Sequence, residues 1–172
     1  MTKYENIHNE LIYLIKTIYD KFDFNHSDVK SEIESAEYSA STFKLNGFNV
    51  KFRSAKITPT KVGQFVTIWT RNEKGITQPH STDDPIDLFI ILTRKDNRIG
   101  HFVFPKSVLT DHGILSTPDK EGKRGIRVYP PWDITGNKQA QKTQKWQLNY
   151  FVETTSPESL DIQKIKLLYR LN

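Results

Sequence analysis

TFKLNGFNVKFR, residues 42–53, alternates apolar and polar side chains on either side of Asn46-Gly47. That dipeptide between two such runs is the two-residue turn of a type I′ hairpin, whose central positions both need positive φ. Phe43, Leu45, Phe48, Val50 and Phe52 then share one face, and Lys44, Lys51 and Arg53 share the other. The first face belongs against a core, and the second begins a basic surface.

Downstream, SAKITPTKVGQ is broken by Pro59 and Gly63, which makes Lys56, Thr58, Thr60 and Lys61 part of a connecting loop at the sheet edge. FVTIWTR is the next strand, and NEKGITQPHSTDD is a surface loop. PIDLFIILTR is apolar on both faces, as a strand in the middle of a sheet must be. IGHFVFPK gives a further strand ended by Pro105, and SVLTDHG gives one or two helical turns closed by Gly113. IRVYP reads as an edge strand, followed by a helix that Asp133 or Thr135 can cap. Lys138, Lys142 and Lys145 fall on one line of that helix, with Ala140, Leu148 and Phe151 opposite. DIQKIKLLYRL, near the end, fits either a closing strand or a docked helix.

Upstream, Thr2 and Glu5 have capping-box spacing, and Ile7, Leu11, Ile15, Ile18 and Phe22 mark a core-facing helix to about residue 22. A second, shorter helix is expected after Ser27, carrying Glu32, Glu34 and Glu37. With no internal repeat, the 172 residues read as one α+β domain, a central mixed β-sheet flanked by helices.

The chain has no cysteine, which excludes disulfides, thiolate metal sites and thiol catalysis. No apolar run is long enough to span a bilayer, and the start of the chain carries acids unlike a signal peptide, so no membrane insertion and a cytoplasmic location are expected. The net charge of +5 is unevenly spread. Residues 38–72 hold Lys44, Lys51, Arg53, Lys56, Lys61 and Arg71 and no acid. Residues 123–147 hold Lys123, Arg124, Arg127, Lys138, Lys142 and Lys145 against Asp133 alone, interleaved with Tyr129, Trp132 and Trp146. This partition is the footprint expected of a polyanion partner, with the aromatics as candidates for base stacking.

Chemistry is sparser. Gly122-Lys123 lacks the upstream glycine of a P-loop, since Thr117 stands there. The five histidines show no zinc-site spacing, and no Gly-x-Ser-x-Gly elbow occurs. One constellation survives. Metal-dependent nucleases pair an Asp at a strand start with an acid-x-Lys triplet on the next strand. Asp87 and Lys106 match the ends of that pattern, with Asp87 as the metal ligand, but Phe104 occupies the acidic position. Glu37, Asp83 or Asp84 would have to replace it.

YSASTFKLNGFNVKFRSAKITPTKVGQFVTIWTR, DLFIIL, GHFVFPK, GKRGIRVYPPWD and NKQAQKTQKWQLNYF together resemble the MepB family, small bacterial proteins from multidrug-efflux gene neighbourhoods, over about residues 34–152. The resemblance implies a cytosolic protein with a restriction-endonuclease-like fold of the PD-(D/E)xK kind and a role in binding or processing nucleic acid, DNA or RNA. Three functions follow as expectations. The first is nucleic-acid binding through Arg53, Lys56, Lys61, Arg71, Lys123, Arg124, Arg127, Trp132, Lys138, Lys142 and Lys145, without an intact metal site. The second is a Mg²⁺-dependent nuclease using Asp87, Lys106 and Glu37 as a relocated acid. The third is a module for a phosphorylated small ligand or a partner protein.

Overall fold

The computed structural model describes residues 4–170. In chain order its strands are β1 (His26–Ser31), β2 (Ser41–Leu45), β3 (Phe48–Ser54), β4 (Lys56–Ile57), β5 (Gln64–Thr67), β6 (Trp69–Arg71), β7 (Thr77–Pro79), β8 (Leu88–Lys95), β9 (Arg98–Pro105), β10 (Gly125–Val128) and β11 (Phe151–Glu153). The helices are α1 (Asn9–Leu14), which runs on into a π-helical turn Ile15–Tyr19, then α2 (Lys106–Asp111), α3 (Lys138–Gln147) and α4 (Ile162–Leu168).

The hairpin forms as its turn chemistry demands: β2 and β3 pair antiparallel, joined by Asn46 at φ 49 and Gly47 at φ 84. It belongs to a six-stranded mixed sheet in the order β1-β2-β3-β8-β9-β11, in which β3 and β8 are parallel and every other pair is antiparallel. β8 lies near the middle, and its side chains divide between two cores. Leu88, Ile90 and Leu92 join Phe43, Leu45, Val50 and Phe52 beneath α1 and α4. Phe89 and Ile91 join Phe102, Phe104, Val66, Ile126 and Leu109 on the other face. The α+β class with a mixed sheet and flanking helices is thus present, and the chain from 162 docks as a helix while β11 closes the edge.

Three expectations are corrected. The helix after Ser27 is instead the edge strand β1, and residues 36–38 form a single 3-10 turn. A lone Val29 gives the strand no readable alternation, and Asp28 at φ 56 shifts the register with β2; pairing to the hairpin decides the conformation there. FVTIWTR is not one strand, because it breaks into β5 and β6, which belong to different small sheets, β10-β5-β4 and β6-β7. The first helix spans Asn9–Tyr19 rather than starting near Thr2, which lies outside the described residues. No helix among the described residues is long and apolar enough to cross a membrane.

Candidate nucleic-acid interface

The small sheet joins the two acid-poor segments. β10 pairs with β5, placing Arg127 opposite Phe65, and Lys56 of β4 lies opposite Phe65 from the other side. The Arg127 guanidinium donates to Thr58 Oγ1 at 2.7 Å and to the carbonyls of Val62 and Gly63 at 3.4 Å, which ties the loop between β4 and β5 to β10. Gly63 can sit there only without a side chain. Its φ is 84, and a Cβ would lie 2.6 Å from Tyr129 Cε1.

The third wall is α3. Asn137, not Asp133 or Thr135, caps it, with Oδ1 accepting from Ala140 N at 2.8 Å. At its other end Gln147, 1% exposed, accepts from Tyr129 N at 2.8 Å and donates to the Arg127 carbonyl at 2.9 Å, standing in for a strand partner of β10. Gln144 donates to the carbonyls of Pro130 and Asp133, at 3.0 and 2.9 Å. Side-chain amides therefore weld α3 to the YPPWD turn, a role hidden in a run that reads as soluble helix.

Between these walls runs a trough of about 730 Å³ lined by Lys61, Lys123, Arg127 and Lys142, with Tyr129, Trp146 and His112, and with no Asp or Glu among its lining residues. His112 covers Trp146 face to face, ring centroids 3.8 Å apart and planes 7° from parallel. Phe104 packs against the same indole at 5.4 Å. Trp146 is thus largely a wall residue, and the exposed His112 carries the aromatic surface outward; nothing in its local sequence distinguishes it.

The other predicted contacts scatter. Arg53 is 2% exposed, and with Lys51 it binds Glu32, each at 2.6 Å. The basic face of the hairpin is therefore neutralised in part by an acid that stands just after β1 rather than on a helix. Burial disfavours the Glu32 charge, but Arg53 and Lys51 outweigh it and hold the carboxyl below its ordinary range. Arg71 pairs with Glu34, and Arg124 with Glu121 and the Thr77 carbonyl. Lys56 lies over the Tyr38 ring at 5.0 Å. Lys138 and Lys145 are exposed on α3 but do not line the trough. Trp132 takes Arg98 over its ring and borders a neighbouring hollow of about 400 Å³ that shares Thr60, Lys61 and Val62 with the trough.

The nuclease constellation is brought together only in part: Asp87, Asp84 and Lys106 are neighbours, and Glu37 lies in a separate turn. Lys106 N donates to the Asp87 carbonyl at 3.0 Å, so the two residues adjoin, but through backbone. Asp87 Oδ2 accepts from Asn49 N at 2.8 Å, and Lys106 Nζ donates to the Asp84 carbonyl at 2.6 Å. Glu37 is exposed in the 3-10 turn beside Tyr38, whose hydroxyl pKa is raised by partial burial and by the Glu37 charge. Among the described residues no three His, Asp or Glu side chains group as a metal site. The described residues thus offer Mg²⁺ no grouped set of three such ligands.

The model of the MepB-like family matches residues 32–153, which run from the end of β1 to the end of β11. The chain belongs to the MepB-like family. The crystal structure of MepB is 36% identical, with a TM-score of 0.76 over 87% of this chain and 99% of that one. The MepB-like core so matched contains the central sheet apart from β1, the trough and α3, while β1, α1 and α4 lie outside the family match. A bacterial homing endonuclease overlaps 86% of this chain and 91% of its own at 13% identity, with a TM-score of 0.47, a likeness too slight to carry chemistry. Among curated proteins none matches.

Proposed function

We propose that this MepB-like protein binds nucleic acid, and that the phosphate backbone lies in the trough between the β4–β5 loop, β10 and α3. The observation that carries this reading is the sign of the lining: four cationic side chains, from the β4–β5 loop, the approach to β10, β10 itself and α3, and no acid. Lys61, Lys123 and Lys142 are exposed and have no acid partner among the described residues, so their charge is available to an incoming anion. Arg127 is held rigid by the loop, which preorganises one contact at low entropic cost. His112, backed by Trp146, offers a flat ring on which a base can stack.

Bond cleavage draws no support from the geometry, since no three acids or histidines group among the described residues, Asp87 Oδ2 and Lys106 Nζ each bond to backbone, and Glu37 stands beside Tyr38. The test is charge reversal inside and outside the trough, read by fluorescence anisotropy with labelled oligonucleotides. Lys61→Glu and Lys142→Glu should each weaken binding about tenfold, and Lys138→Glu, one position off the lining, several times less. Equal losses from Lys138 and Lys142 would place the polyanion elsewhere.

A further inference from the structure

A second cavity, of about 520 Å³, opens over the hairpin and β1 and shares no lining residue with the trough. Its walls bring Lys30 from β1, Lys44 from β2 and Lys51 from β3 together with His80, Asp84 and Asn49, and apolar surface from Pro85 and Ile86. His80, in the lining, and Arg53, which shares Glu32 with the lining residue Lys51, are buried and incompletely satisfied. His80 is 3% exposed; its Nδ1 meets Asp84 Oδ2 at 3.1 Å, while Nε2 has no hydrogen-bond partner. Arg53, whose guanidinium faces the same Phe89 ring that His80 packs on, leaves Nε without one. An enclosed polar atom left unpaired costs about 1–3 kcal/mol, a cost that a packed core normally avoids.

The charges are arranged for an anion. Asp84 is committed to His80 and to Ser81 N, which it accepts at 2.9 Å, and Glu32 is neutralised by Lys51 and Arg53. Lys30 and Lys44, both exposed, have no acid partner among the described residues; Asp28 is the one carboxylate in the lining not engaged elsewhere. With Asp84 holding Nδ1–H, the neutral His80 presents Nε2 as an acceptor, which suits a ligand that also carries a donor. We infer that this cavity binds a mononucleotide-sized phosphate ester, its phosphate at Lys30 and Lys44 and its apolar body against Pro85 and Ile86. The volume is in the range of ordinary small-ligand pockets and well short of a duplex. The site is independent of the trough, and a nucleotide there is a separate ligand from the bound strand.

The experiment is a thermal-shift and calorimetric titration of the full chain with adenosine 5′-monophosphate, adenosine and inorganic phosphate. The monophosphate should raise Tm with concentration and adenosine should not. The double variant Lys30→Glu/Lys44→Glu should weaken the monophosphate at least tenfold while leaving oligonucleotide affinity within twofold, and Lys142→Glu should do the reverse. Both variants change exposed side chains and keep the fold testable. No shift with the monophosphate at millimolar concentration, a shift that survives Lys30→Glu/Lys44→Glu, or one removed by Lys142→Glu overturns the assignment. An equal response to inorganic phosphate and to the monophosphate overturns it too, leaving only a bare anion site. A failure here with oligonucleotide binding intact leaves the trough reading standing.

Discussion

Acidification should unfold this protein through two histidines. His101 is fully buried, its Nε2 2.7 Å from the Tyr169 hydroxyl, which in turn meets Tyr19 at 3.2 Å. Burial pushes its pKa down to about 3. His80 falls to about 4, through burial first and the nearby Lys51 charge second, with Asp84 opposing. Both folded values lie below the ordinary 6.5, so the unfolded chain binds protons that the folded chain refuses. The stability from keeping these rings neutral is complete above about pH 6.5 and is lost as pH falls toward 4 and 3. Each proton is worth about 1.4 kcal/mol per pH unit, so the pair removes about 5 kcal/mol between pH 7 and 4.5. That is the lower end of a whole domain's stability. Asp133, whose pKa burial raises, works weakly in the opposite sense, and Glu32 and Glu153, held low, act only below about pH 4.5. Urea unfolding followed by tryptophan fluorescence at half-unit steps of pH measures the slope. His101→Phe should roughly halve it. A flat profile between pH 6.5 and 5, or an unchanged slope in the variant, would refute the description of these rings as buried and neutral.

Three further outcomes are expected. Glu32→Gln leaves the Arg53 guanidinium buried without its countercharge and should cost about 3–5 kcal/mol in urea melts at neutral pH, far more than Glu34→Gln at the exposed Arg71 pair. Gln147→Ala removes two part-buried hydrogen bonds from α3 to β10 and the residue after it and should cost about 2 kcal/mol, with a loss of oligonucleotide affinity as α3 loosens from the trough. His112→Ala should weaken single strands by about 1 kcal/mol or more in anisotropy titrations, and His112→Phe should restore most of it, because the ring face over Trp146 is what matters.

Much of the sheet was readable because its signals are local. Asn46-Gly47 determines the hairpin, the two-sided apolar run Leu88–Leu92 can only be central, and Pro105 and Gly113 bracket α2. β1 was not readable. Ser27 resembles a cap and the following acids resemble a helix face, and only pairing with β2 makes the segment extended. Alternation correctly assigned Lys51 and Arg53 to the face opposite Phe52, but it says nothing of what covers that face; Glu32 and His80 arrive there from distant positions. For the same reason charge counting overstated the trough. It united the right two segments but assigned twelve cations to a surface where four converge, because Glu32, Glu34 and Glu121 lie just outside the windows counted and fold back onto Arg53, Arg71 and Arg124. His112 and Gln147 carry no sequence signal, since each acquires its role from a neighbour in space.

The most direct measurement is the affinity of the full chain for an oligonucleotide duplex and for a single strand across roughly 50–300 mM salt. Four trough cations on phosphate predict a log–log slope of about −3 to −4 for duplex, dropping by about one unit in Lys142→Glu. A slope near zero, or one that Lys142→Glu and Lys61→Glu leave unchanged, would contradict the trough as the seat of binding.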